Sequence, residues 1–170
     1  EKYFNKNDTI NLGMSGDKIQ NTIWRIENLL FPQNISYVFL LCGSNNLASY
    51  SEYCIVKGII DTAMAAKKKT KSIKVAIIGI IFRDQYDSYR RSKIRRINKD
   101  LQKECILHQF YFIDYNTNEC VNNDNSLNIE LFHHDFLHLS ENGNIKLAKA
   151  IDKCQAEMKC KVSYKKNILQ

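Results

Sequence analysis

Apolar runs and helix-period stretches alternate along most of this chain. Thr9 to Leu12 reads as a short strand. Asp17 then caps a helix in which Ile19, Ile23, Ile26 and Leu30 recur at helical spacing, until Phe31-Pro32-Gln33-Asn34 breaks the pattern. Ser36 to Cys42, with Tyr37-Val38-Phe39-Leu40-Leu41 at its centre, has the pattern of a buried strand and ends on Gly43-Ser44-Asn45-Asn46. A second helix spans Glu52 to about Lys68 and presents Tyr53, Val56, Ile60 and Ala63 to the core. Ile73 to Ile81 is apolar on both faces, as a strand covered by helices on two sides must be. A third helix, from about Ser88 to Leu107, turns Ile94, Ile97, Leu101 and Cys105 inward and its basic face to water. Phe110 to Ile113 is a last short strand, followed by an Asn-rich loop from Asn116 to Asn128. Ser140 caps a final helix through Ile145, Ala148, Ile151 and Cys154.

Strands that alternate with helices predict an α/β fold, a parallel sheet wrapped by helices. Its 170 residues are enough for one domain with a proper core, which we place over residues 1–158, with a basic tail over 159–170. A hydrophobic share of 44% with nine Tyr and eight Phe argues against a disordered chain. No apolar run has the length of a transmembrane segment, and no signal-peptide pattern stands at the N-terminus. The first residue is not Met, so the sequence reads as a fragment or a processed product.

The charge balance is basic, 25 Lys and Arg against 18 Asp and Glu, and the excess is clustered in Lys67-Lys68-Lys69-Thr70-Lys71 and Arg90-Arg91-Ser92-Lys93-Ile94-Arg95-Arg96. Such clusters could meet the phosphates of nucleic acid or anionic lipid. Without interleaved aromatic residues, a solvated helix face and a loop explain them better. The six cysteines (Cys42, Cys54, Cys105, Cys120, Cys154, Cys160) are scattered with no C-x-x-C pair, which favours reduced thiols and an intracellular, cytoplasmic setting. The sequons at Asn7 and Asn34 point weakly the other way and are discounted.

The chemistry concentrates in Asp135-Phe136-Leu137-His138-Leu139-Ser140. A carboxylate three residues before an imidazole suits an Asp that orients a His, and an oriented His is the general base of acyl transfer. His134 and His138, four apart, also invite a metal reading, but no H-E-x-x-H motif or cysteine ligand pair accompanies them, so no metal or organic cofactor is expected. Every candidate residue falls after a predicted strand or in a loop before a helix, the edge where open α/β sheets bind ligands.

Three blocks together resemble the SGNH (GDSL-like) hydrolase family: Gly16 in Met14-Ser15-Gly16-Asp17, Asn45 in Gly43-Ser44-Asn45-Asn46, and the pair Asp135 and His138. They appear in family order over residues 11–151. The resemblance implies a flavodoxin-like three-layer fold and an esterase or acyl hydrolase working by a Ser-His-Asp mechanism on a short acyl ester or a lipid. It assigns His138 as base, Asp135 as its orienter, and Gly16 and Asn45 as oxyanion-hole donors. It also implies a nucleophilic Ser in a GDS block on a first strand, which this sequence does not contain. That strand and its loop are therefore expected upstream of Glu1. Ser15 belongs to the Gly block and is rejected as a substitute. Asn46 stands where the family commonly has Asp.

Phe39-Leu40-Leu41-Cys42-Gly43-Ser44-Asn45-Asn46-Leu47, Gly79-Ile80-Ile81-Phe82-Arg83-Asp84 and the stretch from His138 to Ala148 also look like SGNH-type domains encoded within eukaryotic retrotransposons. Arg83, directly after a predicted strand, is a candidate for binding an anionic substrate. Two rival readings stand beside the hydrolase. One is a non-catalytic SGNH-fold module that binds nucleic acid or a protein. The other is an acyltransferase or carbohydrate deacetylase on the same residues.

Overall fold

Three parallel strands form the sheet of the computed structural model: β1 (Tyr37–Leu40), β2 (Lys74–Ile78) and β3 (Tyr111–Ile113), in the order β1-β2-β3. The structure describes residues 9–32, 34–69 and 72–167. The sequon at Asn7, Thr70 and Lys71 of the lysine run, and the last three residues of the tail lie outside them. Register is set by Val38 opposite Val75 and by Ile77 opposite Phe112. Around the sheet lie α1 (Ile19–Asn28), α2 (Glu52–Lys69), α3 (Tyr89–His108) and α4 (Glu141–Asn167).

The central strand explains the layering. Val75 and Ile77 pack into one core with side chains of α1, α2 and α3, whereas Ala76 and Ile78 pack into a second with Cys154 and Met158 of α4. Alternation along β2 thus buries both faces, giving the expected three layers. All four inward positions predicted for α3 are fully buried, and the oxygen of Ser88 accepts from the Arg91 amide as its N-cap.

Several expectations fail for identifiable reasons. Thr9 to Leu12 is not a strand; it has no ladder partner among the described residues, and Ile10 and Leu12 are exposed. Asp17 is not the cap of α1, because its carboxylate is taken by Arg25 and Lys18 occupies the N-cap position. Leu30 falls beyond the extended C-cap residue Leu29 and faces solvent. On α2 the buried stripe runs through Ile55, Ile59, Ala63 and Ala66, and Tyr53, two residues or about 200° away from Ile55, is exposed.

The basic face of α3 is not uniformly turned to water either. Arg91 is fully buried, its guanidinium 5.5 Å from the Phe82 ring centroid and donating to the Asn125 carbonyl at 2.6 Å. Lys93 is buried too, its ammonium satisfied by the carbonyls of Leu47 (2.7 Å) and Tyr50 (2.6 Å). Arg90, Arg95 and Arg96 pair with Asp84, Asp87 and Glu52. In the other cluster, Lys67 donates to Ile73 O (2.5 Å), and Lys69 donates to Glu27 O (2.6 Å) and Leu29 O (3.2 Å) at the end of α1. Most of the clustered charge is thus committed to internal partners rather than to a bare cationic face.

Candidate active site

Residues 131–140 fold back on themselves. Phe132 and Leu139 form an antiparallel bridge, His133 N donates to His138 O at 2.9 Å, and Ser140 N donates to Leu131 O at 3.0 Å. Within this turn Asp135 uses both carboxylate oxygens. Oδ1 accepts from the amides of Leu137 (2.9 Å) and His138 (3.0 Å), and Oδ2 lies 2.6 Å from His138 Nδ1. The hydrogen bond from the His138 ring, followed by those two amides, holds the Asp135 carboxyl well below the usual carboxylate range. A carboxylate facing Nδ1 places the ring proton there and leaves Nε2 as an acceptor, the tautomer this network assigns. Both side chains are open to solvent, 69% for His138 and 49% for Asp135, so a reactant can reach Nε2.

Packing fixes the turn to α4. Ser140 Oγ accepts from Gly143 N (3.1 Å) and donates to Glu130 O (2.5 Å), so the predicted cap also ties the helix to the loop. A Cβ on Gly143 would collide with the Leu131 carbonyl, which makes glycine a requirement of this close approach.

The second half of the site is built at the end of β1. Gly43 has φ 104°, and a Cβ there would lie 3.0 Å from the Ile59 side chain, so both conformation and crowding call for glycine. The turn it makes feeds the short 3-10 helix Ser44–Asn46. Asn46 is buried; its Oδ1 accepts from Ile19 N (3.0 Å) and its Nδ2 donates to Gln20 Oε1 (3.1 Å), capping α1 from a distance. Its neighbour Asn45 is exposed and donates from Nδ2 to Asp17 O at 2.9 Å, one residue from Gly16. Gly16 has φ 78° and open space where a side chain would stand. Arg25 holds this loop by pairing with Asp17 and donating to Leu12 O (2.8 Å).

The structure therefore brings Asp135 to His138 and ties Asn45, in the turn after β1, to Asp17, the residue after Gly16. No hydrogen bond joins the two pairs among the described residues. Arg83 lies after β2, and the amide of the next residue, Asp84, donates to Phe136 O (2.9 Å), which couples this turn to the Asp135/His138 loop. Sequence reasoning missed Asn46 as a helix cap, Gly143 as a contact glycine, and the polar pair Asn98 and Asn116 behind Arg83. A buried Asn has no periodicity to announce it; only the Ser-Glu-Asn-Gly run around Gly143 hinted at a role.

No family model matches the chain. Platelet-activating factor acetylhydrolase IB subunit alpha1 of Bos taurus is 27% identical over 147 residues, which are 84% of this chain and 61% of that protein. A GDSL-like lipase from Bacteroides thetaiotaomicron superposes with a TM-score of 0.77 over 92% of this chain and 80% of its own, at 20% identity. The chain has the fold of the GDSL-like hydrolases. A variant of an acetyl-xylooligosaccharide esterase from Geobacillus shares the fold at a TM-score of 0.69 and 17% identity, over 85% of this chain and 70% of that one. The chain spans 61% of the length of the relatives it matches in sequence. No helix among its described residues is long and apolar enough to cross a membrane.

Proposed function

We propose that this chain is an SGNH-type hydrolase that supplies the acid–base pair and the oxyanion donors of a serine esterase, with the nucleophilic Ser contributed by sequence preceding Glu1. The observation that carries the reading is the 2.6 Å contact between Asp135 and His138 Nδ1, with the second Asp135 oxygen locked by two amides. In the reaction His138 Nε2 takes the proton of the serine hydroxyl as it attacks the ester carbonyl. The imidazolium formed is stabilised by Asp135, and His138 then protonates the leaving alcohol. Water repeats the sequence to release the acid.

Charge developing on the carbonyl oxygen needs fixed donors. Gly16 has open space where a side chain would stand, which leaves room for a substrate beside its backbone. The Asn45 amide carries two N–H bonds; one is held by Asp17 O, which orients the other. The acyl hydrolase reading agrees with what the relatives are called, and it requires no metal or organic cofactor.

The test is fluorophosphonate labelling of the protein with its upstream sequence, mapped by mass spectrometry, with His138→Ala in parallel. Labelling of one upstream serine that disappears in the variant is the expected result. A folded protein that takes no label would instead make this a binding module on an SGNH fold.

A further inference from the structure

Just beyond Gly79 the chain has no ladder partner among the described residues. Two asparagine side chains take the place of one. Asn98 accepts from Ile80 N (2.8 Å) and donates to Ile80 O (2.9 Å), while Asn116 donates to Ile80 O (2.7 Å) and accepts from Phe82 N (2.8 Å). Burial alternates along this segment: Ile80 and Phe82 are buried, Ile81 and Arg83 half-buried. Phe82 carries the stacked guanidinium groups of Arg91 (5.5 Å) and Arg95 (5.2 Å) on the α3 side, so Arg83 lies on the opposite side of the chain.

Arg83 differs from the other five arginines of this chain. Arg25, Arg90, Arg91, Arg95 and Arg96 each have a carboxylate within 4.0 Å. Arg83 has no ion pair among the described residues; its Nε, like that of Arg25 and Arg91, is shielded from solvent without a hydrogen-bond partner, but those two guanidiniums have a carboxylate beside them and Arg83 does not. The carboxylate nearest in sequence, Asp84, is already engaged by Ser88 Oγ (2.7 Å) and by Arg90 (2.8 Å). A shielded guanidinium N–H without a partner is costly, and a planar anion that meets Nε and one Nη together would relieve it.

Its position completes the case. Asp84 N donates to Phe136 O (2.9 Å), and both Asp84 (φ 73°) and Phe136 (φ 48°) are left-handed. Each such residue costs about 1 kcal/mol or more and persists only where its surroundings impose it. The strained pair fastens the Arg83 turn to the loop that presents His138.

We infer that Arg83 is the anion-binding residue of the site, and that the ester cleaved carries one negative charge away from its scissile carbonyl. A single guanidinium matches a single charge; Arg90, the next cation in sequence, is spent on Asp84. The inference rests on the hydrolase reading above.

The experiment compares mono-4-nitrophenyl glutarate with 4-nitrophenyl pentanoate, which has a methyl group where the first has a carboxylate. The protein with its upstream sequence should favour the glutarate ester in kcat/KM by about tenfold, the value of one charge-assisted contact. Arg83→Gln should abolish that preference, mainly through KM, while Arg83→Lys should keep part of it as a point charge. Should Arg83→Gln fail to fold, Arg83→Lys carries the test, because a partial loss of the preference is still required. A wild-type preference for the pentanoate ester, or a ratio unmoved by both substitutions, overturns the role of Arg83 and leaves the hydrolase reading standing. Cleavage of neither ester overturns both.

Discussion

The buried side-chain oxygen of Asn46 accepts a hydrogen bond from the backbone amide of Ile19, 3.0 Å away, across 27 positions of sequence. That bond does two jobs. It satisfies one of the unpaired amides at the start of α1, and it holds the Gly16 loop against the Asn45 turn. The two proposed oxyanion donors are therefore aligned by a residue that touches neither substrate nor base.

Asn46→Ala should destabilise the protein by about 1–2 kcal/mol, since it removes a cap and leaves Gln20 without its amide partner. Asn46→Asp keeps the acceptor, places a negative charge at a helix N-terminus, and should cost less than the alanine change. Urea denaturation of both variants checks the order. Equal losses would remove the capping explanation.

The Asp135 carboxyl should titrate below its unfolded value of about 3.9. Because the folded pKa is depressed, this group's contribution to stability is fully present above the unfolded value and is lost as pH falls through the folded one. Carbon-13 NMR of the carboxyl reports the midpoint directly. In His138→Ala the midpoint should rise, because the ring hydrogen bond is the largest cause of the depression.

On the proposed mechanism, Asp135→Asn should lower kcat by on the order of 10³–10⁴ with little change in KM, because the carboxylate that sets the tautomer of the proposed base is replaced by an amide. Ester hydrolysis by the protein with its upstream sequence is the assay. A fall confined to KM would contradict the assigned role.

Gly143→Ala should destabilise by about 1–3 kcal/mol despite the better helix propensity of alanine, because the new Cβ drives α4 away from the Leu131 carbonyl. Activity should fall with it, since the same loop carries His138. Thermal melting and ester turnover measured together separate this from a purely local effect.

Asn98→Ala leaves the buried Ile80 amide without its partner, while Ile80 O keeps its bond from Asn116, with an expected loss of about 1–3 kcal/mol. Denaturant unfolding measures it. A neutral result would mean that Asn116 alone holds the segment after β2.

What was legible in the sequence was local. The dyad spacing, the Ser140 cap and the inward stripe of α3 depend on residues within a few positions of one another. Leu30 and Tyr53 were misjudged where a helical period was carried past a helix end or given the wrong phase. The interior places of Arg91 and Lys93, and the roles of Asn46, Asn98 and Asn116, depend on partners 18 to 46 positions away. Polar residues satisfied by distant backbone leave no pattern along the chain, so charge clustering alone overstated how much of this surface is a free cationic face.

The bonds that aim His138 all begin and end between residues 133 and 138. Orientation of the imidazole is therefore set by bonds within a six-residue segment, which the Asp84 amide and the Phe132–Leu139 bridge hold in shape from outside, whereas its placement relative to the proposed donors Gly16 and Asn45 depends on the whole fold. Variants that loosen the fold without touching that segment should lose turnover while the shape of their pH–rate profile stays the same, since the base remains primed even where it is misplaced.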